Sequence, residues 1–561
     1  MSTSSLEEHV AMLAVRRDWE QVRTVLTAVD GAHLLDARLF EVLAEACWWL
    51  GRVNECIAAR RRALDDHEHA GDRSNTARVA LLLSEDHRRQ GNAVIAESWR
   101  RRAARVLDTA PECAAHGYLR LYQGEAARRR GDLERADVLL NEARAIADRV
   151  GSADLAADVT QEIGRVMISG GAVEEGLAVM DDAVLAASDG NLSSYTTGKI
   201  YCCMISACDE LGDVERVAQW ERTSTAWSST DGFNVFPGMC RVHHADLLAH
   251  FGHWSEAESE AERACEELRE IGWVVGSAYN TIGHIRLHRG DLDGAARAFR
   301  EADEQAVGAA GREAGVAGLL LAKGNAQGAL ARVSRALTAT TLPLMRARLL
   351  PVQVDSAVAC GALDTAASAV DELDQIAAAF RSLKLRATAS LARSRLCLAR
   401  HEWTQACAAV TTALQQWQDL HAPYEVAVAR VIQAQTCQAL DDHDGWATSL
   451  DSAAQIFRSL GAHPDLATIE RLRQPSDRDA AATRSPLTAR EVDVLRLVAT
   501  GATNKTIAAQ LIVSEKTVAR HLSNIFTKLD LSTRAAATAW AFQHNVIPGQ
   551  PQPFPPTEHA G

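Results

Sequence analysis

Gly131-Asp132-Leu133-Glu134-Arg135-Ala136 and Gly290-Asp291-Leu292-Asp293-Gly294-Ala295 are two copies of one word, Gly-Asp-hydrophobic-x-x-small, each set between two apolar-periodic stretches. Gly212-Asp213-Val214 and Gly252-His253-Trp254-Ser255-Glu256-Ala257 follow the same plan. The word reads as a turn between two helices. Glycine accepts the left-handed conformation that closes the first helix, and aspartate caps the open N–H groups of the second. The small sixth residue lets the two helices come close. Turn glycines stand at 51, 91, 131, 171, 212, 252, 290, 324 and 361, in steps of 34 to 41 residues. Degenerate copies at Arg17-Asp18-Trp19, His401-Glu402-Trp403 and Asp442-His443-Asp444 extend the series to about twelve helix pairs over residues 6–472. Such a pair cannot bury its apolar face alone, so neighbours stack into a curved superhelix.

The composition agrees with an all-α chain. Of 561 residues, 47% are hydrophobic and only 5% aromatic, and five of the 13 prolines fall in the last 14 positions, which favours helices over sheets. The repeat resembles the tetratricopeptide type with somewhat longer helices; a HEAT-like array has a similar period. One irregularity lies at Ser228–Cys240, which reads as a longer inter-repeat link carrying Phe233, Phe236 and Pro237.

After Arg473 the character changes. Residues 473–484 are short, polar and Pro/Ser-containing, a linker. Residues 485–547 then carry seven Lys/Arg against four Asp/Glu, or +3, which leaves −17 on the rest of a chain whose net charge is −14. A basic module on an acidic body points to a polyanion partner for the module. Thr488 and Glu491 make a capping box for a first helix that Gly501 stops. Thr503 opens a short second helix through Gln510, Leu511-Ile512-Val513 form a tight apolar turn, Ser514 caps a third helix over 515–529, and Ser532 caps a fourth. In the third helix Val518, Leu522, Ile525, Phe526 and Leu529 form one apolar stripe. The opposite stripe is Lys516, Ala519, Arg520, Ser523 and Thr527, bordered by Thr517, His521, Asn524 and Lys528. A short helix, a turn and a capped helix presenting small, basic and hydroxylic side chains suit a major groove. Residues 548–561 read as a disordered Pro-rich tail.

This segment closely resembles the LuxR-type helix-turn-helix domain. The matching words are Leu487-Thr488-x-Arg490-Glu491, Gly501-x-x-Asn504-Lys505-x-Ile507-Ala508, Ser514-x-x-Thr517-Val518, His521, Ile525-Phe526-x-Lys528-Leu529 and Ser532-x-Arg534. The resemblance implies a four-helix domain whose third helix reads DNA and whose fourth supports dimerisation. Lys516, Ala519, Arg520, Ser523 and Asn524 are expected to face bases; Asn504, Lys505, Ser514, Thr517, His521 and Lys528 are expected at phosphates. At position 519 the family commonly has Lys, so base discrimination falls more heavily on Arg520, whose fork suits guanine O6 and N7. Arg490 and Glu491 read as a local ion pair and cap. Ala535, Ala536, Ala539 and Trp540 are either a dimer face or the core side of the fourth helix.

Large LuxR-type regulators often join an ATPase, a tetratricopeptide-like sensor and such a domain. Here no G-x-x-x-x-G-K-[ST] occurs, since Gly198-Lys199-Ile200 lacks both the upstream glycine and the hydroxyl residue. No receiver-like alternation of strands and helices opens the chain. His284 and His288, at i and i+4, lack the glutamate of a zincin and are expected as exposed helix residues; His243-His244 and Cys202-Cys203 are adjacent pairs that diverge on a helix. No Gly-x-Ser-x-Gly is present, and twelve cysteines contain no C-x-x-C pair. The expectation is a non-enzymatic, cytoplasmic DNA-binding regulator without cofactor, metal or membrane segment. It would be a homodimer on double-stranded DNA, with the superhelix as sensor for an effector ligand or protein, docking site or oligomerisation platform. The alternative is a repeat scaffold working through protein–protein contacts.

Overall fold

The computed structural model describes residues 3–30, 35–230, 235–270, 276–304, 309–474, 487–511 and 513–543. Among them every regular element is a helix, and the chain divides into two compact units, Met1–Ala467 and Thr468–Gly561. Most of the linker expected at 473–484, and all of the tail expected at 548–561, lie outside the described residues.

In the first unit twelve helix pairs are described, from Thr3–Val15 with Trp19–Asp30 to Pro423–Ala439 with His443–Leu460; the next helix, His463–Arg473, runs across the boundary between the units. All nine turn glycines are left-handed, with φ between 71° and 94°. After four of them the next residue caps the second helix: Asp132, Asp213, Asp291 and Asn325 accept from the N–H groups of Arg135, Arg216, Gly294 and Gly328 at 2.8–3.2 Å, whereas Asn92 after Gly91 makes no side-chain cap. The small sixth residues Ala136, Ala257 and Ala295 are fully buried. This is a tetratricopeptide-like array.

In the degenerate turns the left-handed position is filled by Arg17, His401 and Asp441. The third lies one residue ahead of Asp442, which instead caps the next helix through the Gly445 N–H at 2.9 Å. An L-residue in this conformation costs roughly 1–2 kcal/mol, partly offset by the greater chain entropy that glycine loses. Asp441→Gly is therefore expected to stabilise the array by up to about 1 kcal/mol, seen as a higher urea midpoint.

The array also coils back on itself. The Thr341 hydroxyl donates to the Arg130 carbonyl at 3.0 Å, Ser382 to Leu211 at 2.5 Å and the His250 imidazole to Leu420 at 2.8 Å. These pairs lie 211, 171 and 170 residues apart, so each joins the turn of one pair to the link four or five pairs further on. One apolar core accordingly runs from Ala157 to Leu396.

Two expectations are corrected here. Helices reach Thr230 and resume at Val235, so the long link foreseen over Ser228–Cys240 is mostly helix; Phe236 and Pro237 fall in the first turn of Val235–His250, while Phe233 lies outside the described residues. His284 and His288 are not exposed. Their rings lie among Trp254, Phe299 and Tyr424, with Tyr424 4.3 Å from His288, and burial pushes His288 down to about 3. Among the described residues no cluster of three metal-ligating side chains forms, and no helix is long and apolar enough to cross a membrane.

Candidate nucleic-acid interface

In the second unit four helices, Ala489–Ala499, Asn504–Leu511, Glu515–Leu529 and Arg534–Gln543, enclose a core of its own built on Leu487, Val494, Leu495, Ile507, Val518 and Ile525. The first begins with the foreseen capping box, Glu491 N–H to Thr488 Oγ at 3.3 Å and Thr488 N–H to Glu491 Oε2 at 2.8 Å. It ends at left-handed Gly501. Thr503 caps the second helix through the Thr506 N–H at 3.2 Å, and Ser514 caps the third through the Thr517 N–H at 3.1 Å. The fourth is capped not by Ser532 but by Thr533, which accepts from the Ala536 N–H at 3.1 Å. Ile512, expected in the apolar turn, lies outside the described residues.

The third helix is two-faced. Val518, Leu522 and Ile525 are buried, while Lys516, Ala519, Arg520, Ser523, Asn524 and Thr527 are all exposed. From Lys516 to Thr527 the exposed row runs about 16 Å at 1.5 Å per residue, comparable to the roughly 12 Å width of a major groove. Lys505 is exposed, and Thr517 and His521 are half-buried along the edge of the row.

Four of the side chains assigned to phosphates have partners within the domain. The Ser514 hydroxyl lies 2.7 Å from that of Thr517. Asn504 accepts from Arg534 Nη1 at 2.9 Å. Lys528 Nζ lies 2.6 Å from Glu491 Oε2. Glu491 is therefore a cap paired with Lys528, not with Arg490. Arg490 instead donates to the Leu511 carbonyl at 2.7 Å and fixes the end of the second helix. Arg534 does the same at its start, bonding Asn504 and the Ala502 carbonyl. Spacing along the chain carried no sign of either role, since the partners lie 21 to 32 residues away.

Burial of the Glu491 carboxyl pushes its pKa up, but hydrogen bonds from Lys528 and Thr488 outweigh this and leave it below the ordinary value. A depressed folded-state pKa stabilises above the unfolded value of about 4.3 and stops doing so as pH falls through the folded one. The domain is expected to lose stability on acidification below about pH 4.3, and Glu491→Gln to flatten that loss, read by melting residues 476–561 across pH 3–6.

The fourth helix separates the residues left undecided by sequence. Ala535 and Ala539 are exposed, whereas Ala536 and Trp540 are half-buried and Trp540 packs on the core. Phe542, 51% exposed, continues the outer row at i+7 from Ala535. Sequence reading had overlooked it, although the 535, 539, 542 spacing is helical.

Residues 485–541 match the family "Bacterial regulatory proteins, luxR family". Among curated proteins, the nitrate/nitrite response regulator protein homolog of Haemophilus influenzae is 52% identical over 59 residues, 10% of this chain and 28% of that protein. Response regulator protein VraR of Staphylococcus aureus is 46% identical over 61 residues, 11% and 29% respectively. The chain thus spans under a third of the length of these relatives. Similar solved structures are the APC/C hetero-tetramer Cut9-Hcn1 (12% identity, 84% of this chain and 96% of that one, TM-score 0.44) and Rap protein complexed with competence and sporulation factor (13%, 68% and 98%, 0.38). Residues 485–541 of this chain are a LuxR-type helix-turn-helix domain.

Proposed function

We propose that the chain is a cytoplasmic, sequence-specific DNA-binding transcription regulator. Its domains would be a repeat superhelix over 6–472, a linker over 473–484 and a DNA-binding domain over 485–547. The observation that carries this reading is the third helix, with its apolar stripe buried and Lys516, Ala519, Arg520, Ser523 and Asn524 together on the open side. In a major groove Arg520 would take a guanine, Ala519 would lie against a thymine methyl, and Lys516, Ser523 and Asn524 would supply further base contacts. Lys505, Thr517 and His521 would meet phosphates beside the helix N-terminus, whose dipole favours anions. Asn504, Ser514 and Lys528 would act there while keeping their internal partners. A homodimer would form through Ala535, Ala539 and Phe542, reading half-sites about 34 Å apart. The superhelix would serve as sensor, docking site or oligomerisation platform.

The test is recovery of fragments from a pool of the source genome by the full chain. Paired, discrete sites support the reading; no enrichment by either the chain or residues 476–561 favours a repeat scaffold. Charge adds a second expectation. With +3 on residues 485–547 and −17 elsewhere, the isolated domain should bind random-sequence DNA more tightly than the full chain at low salt, the gap closing as the Debye length shrinks to about 8 Å near 0.15 M. Fluorescence anisotropy against salt reads both; equal affinities at 20 mM salt would remove charge inhibition by the body.

A further inference from the structure

The second to sixth helix pairs enclose a chamber of about 750 Å³, well within the roughly 300–1,000 Å³ of small-molecule sites. Its wall is made chiefly by the first helix of each pair: Ala37–Trp49, Arg73–Arg89, Ala114–Arg129, Ala153–Ser169 and Ser194–Leu211. Five aromatic rings line it in a chain where aromatics are 5% of residues. Trp48 stands edge-on to both Trp49 and Tyr195, with centroids 4.7 and 5.2 Å apart, and Tyr118 lies 6.2 Å from Tyr122. Tyr118 and Tyr195 are only half-buried, so their rings keep surface open to the space they line.

Charges lie between the rings, several of them paired. Arg60 is ion-paired with Asp86, and Arg78 with Glu41, whose other oxygen lies 2.7 Å from His67. Arg89 donates to the Tyr195 hydroxyl, with its guanidinium 5.8 Å from the Trp48 centroid. Of the four arginines on the wall, Arg60 and Arg78 are ion-paired, Arg89 bonds the neutral Tyr195 hydroxyl, and Arg38 is exposed.

The carboxylates are less well served. Five stand on the wall against those four arginines. Glu45 has no cation in ion-pairing distance among the described residues and its side chain is exposed to the open space; the surrounding helices raise its carboxyl above the ordinary value, against the opposing pull of its hydrogen bond from the Trp49 indole and of the Arg60 charge. Among the described residues Asp154 accepts only the Ser193 N–H, at 2.8 Å. With Arg88 and Asp86 counted beside their partners Glu85 and Arg60, the wall keeps one more carboxylate than arginine, and its charges lie among aromatic rings, whose faces attract positive charge.

We infer that the chamber binds an organic cation, its apolar body against Trp48, Tyr118 and Tyr195 and its positive centre set against Glu45. A neutral ligand of the same shape would bury the Glu45 carboxylate without a counter-charge, and an anion would add to the excess of carboxylates. This ligand class goes beyond the sensor role proposed above and stands whether or not the C-terminal helices read DNA.

The probes are tetraphenylphosphonium and tetraphenylborate, nearly identical in shape and opposite in charge, titrated calorimetrically into the full chain. The expected result is one phosphonium per chain and at least tenfold weaker binding of the borate. Glu45→Gln keeps the size and a hydrogen-bonding oxygen for the Trp49 indole; it should weaken phosphonium at least tenfold and leave the borate unchanged. Glu134→Gln, which removes an exposed carboxylate outside the chamber, should leave phosphonium affinity within twofold, and unchanged melting temperatures will show that both variants fold. Borate binding as tightly as phosphonium overturns the proposal. So does phosphonium affinity undiminished in Glu45→Gln, which would place the cation elsewhere on an acidic surface, or binding of neither probe.

Discussion

Arg520→Ala should abolish recovery of discrete genomic sites while leaving the fold of the DNA-binding domain intact. Arg520 is exposed, midway along the open row of the third helix, and the structure gives it neither an ion pair nor a hydrogen bond among the described residues, so truncation removes nothing that holds the domain together. A bidentate arginine on guanine is worth about 1–3 kcal/mol of discrimination, roughly five- to 150-fold at one half-site. In a dimer the loss is taken twice, giving about 2–6 kcal/mol overall. Specific sites commonly exceed random ones by about 10³–10⁷, or roughly 4–10 kcal/mol, so this loss removes about half of the advantage and lets the far more numerous random sites compete. Residual binding should keep nearly the wild-type salt slope, because the phosphate contacts remain. Lys505→Ala should do the opposite, lowering affinity for all sequences and reducing the salt slope by about one. If Arg520→Ala recovers the wild-type sites, the third helix does not read bases through this residue.

The repeat was legible because each of its parts answers to a local need. A helix that must turn within two residues needs a left-handed position, and nine glycines supply it; the three copies that use Arg17, His401 and Asp441 were recognisable only by their flanking helices, and the last was placed one residue late. Helical period likewise exposed the buried and open stripes of Glu515–Leu529. What the chain order concealed is contact at long range. Nothing near Ser382 announces that its hydroxyl meets Leu211, and nothing near His288 announces that Tyr424, from four pairs further on, will cover it. The same holds inside the small domain. Lys528 lies on the border of the open row, and only the packing of the first helix against the third turns it toward Glu491. Sequence periodicity assigns a residue to a face; it does not say which other element meets the side chain there.

Phe299→Ala should produce the largest loss of stability in the superhelix. Phe299 lies in Leu292–Glu304, the second helix of the eighth pair, and is only 2% exposed. Its ring fills a slot between Gly283, in the first helix of the same pair, and Gly315, in the next pair. A Cβ built on Gly283 would come within 2.5 Å of the ring, and one on Gly315 closer still. His284 closes the slot edge-on, with ring centroids 5.3 Å apart. The two glycines leave no side chain able to move into the vacated space, so truncation should leave a cavity, and Phe→Ala in such sites costs about 3–5 kcal/mol. In a repeat array the loss falls on one interface, since each pair is held mainly by its neighbours. The expected outcome is therefore not a uniform fall in the urea midpoint but separation into two transitions, with faster amide exchange confined largely to the eighth and ninth pairs. Phe299→Leu, which keeps most of the volume, should cost roughly 1–1.5 kcal/mol and preserve a single transition. A single transition at an unchanged midpoint in Phe299→Ala would mean that coil-to-coil contacts such as Thr341 to Arg130 and Ser382 to Leu211, rather than neighbour stacking, hold this stretch together.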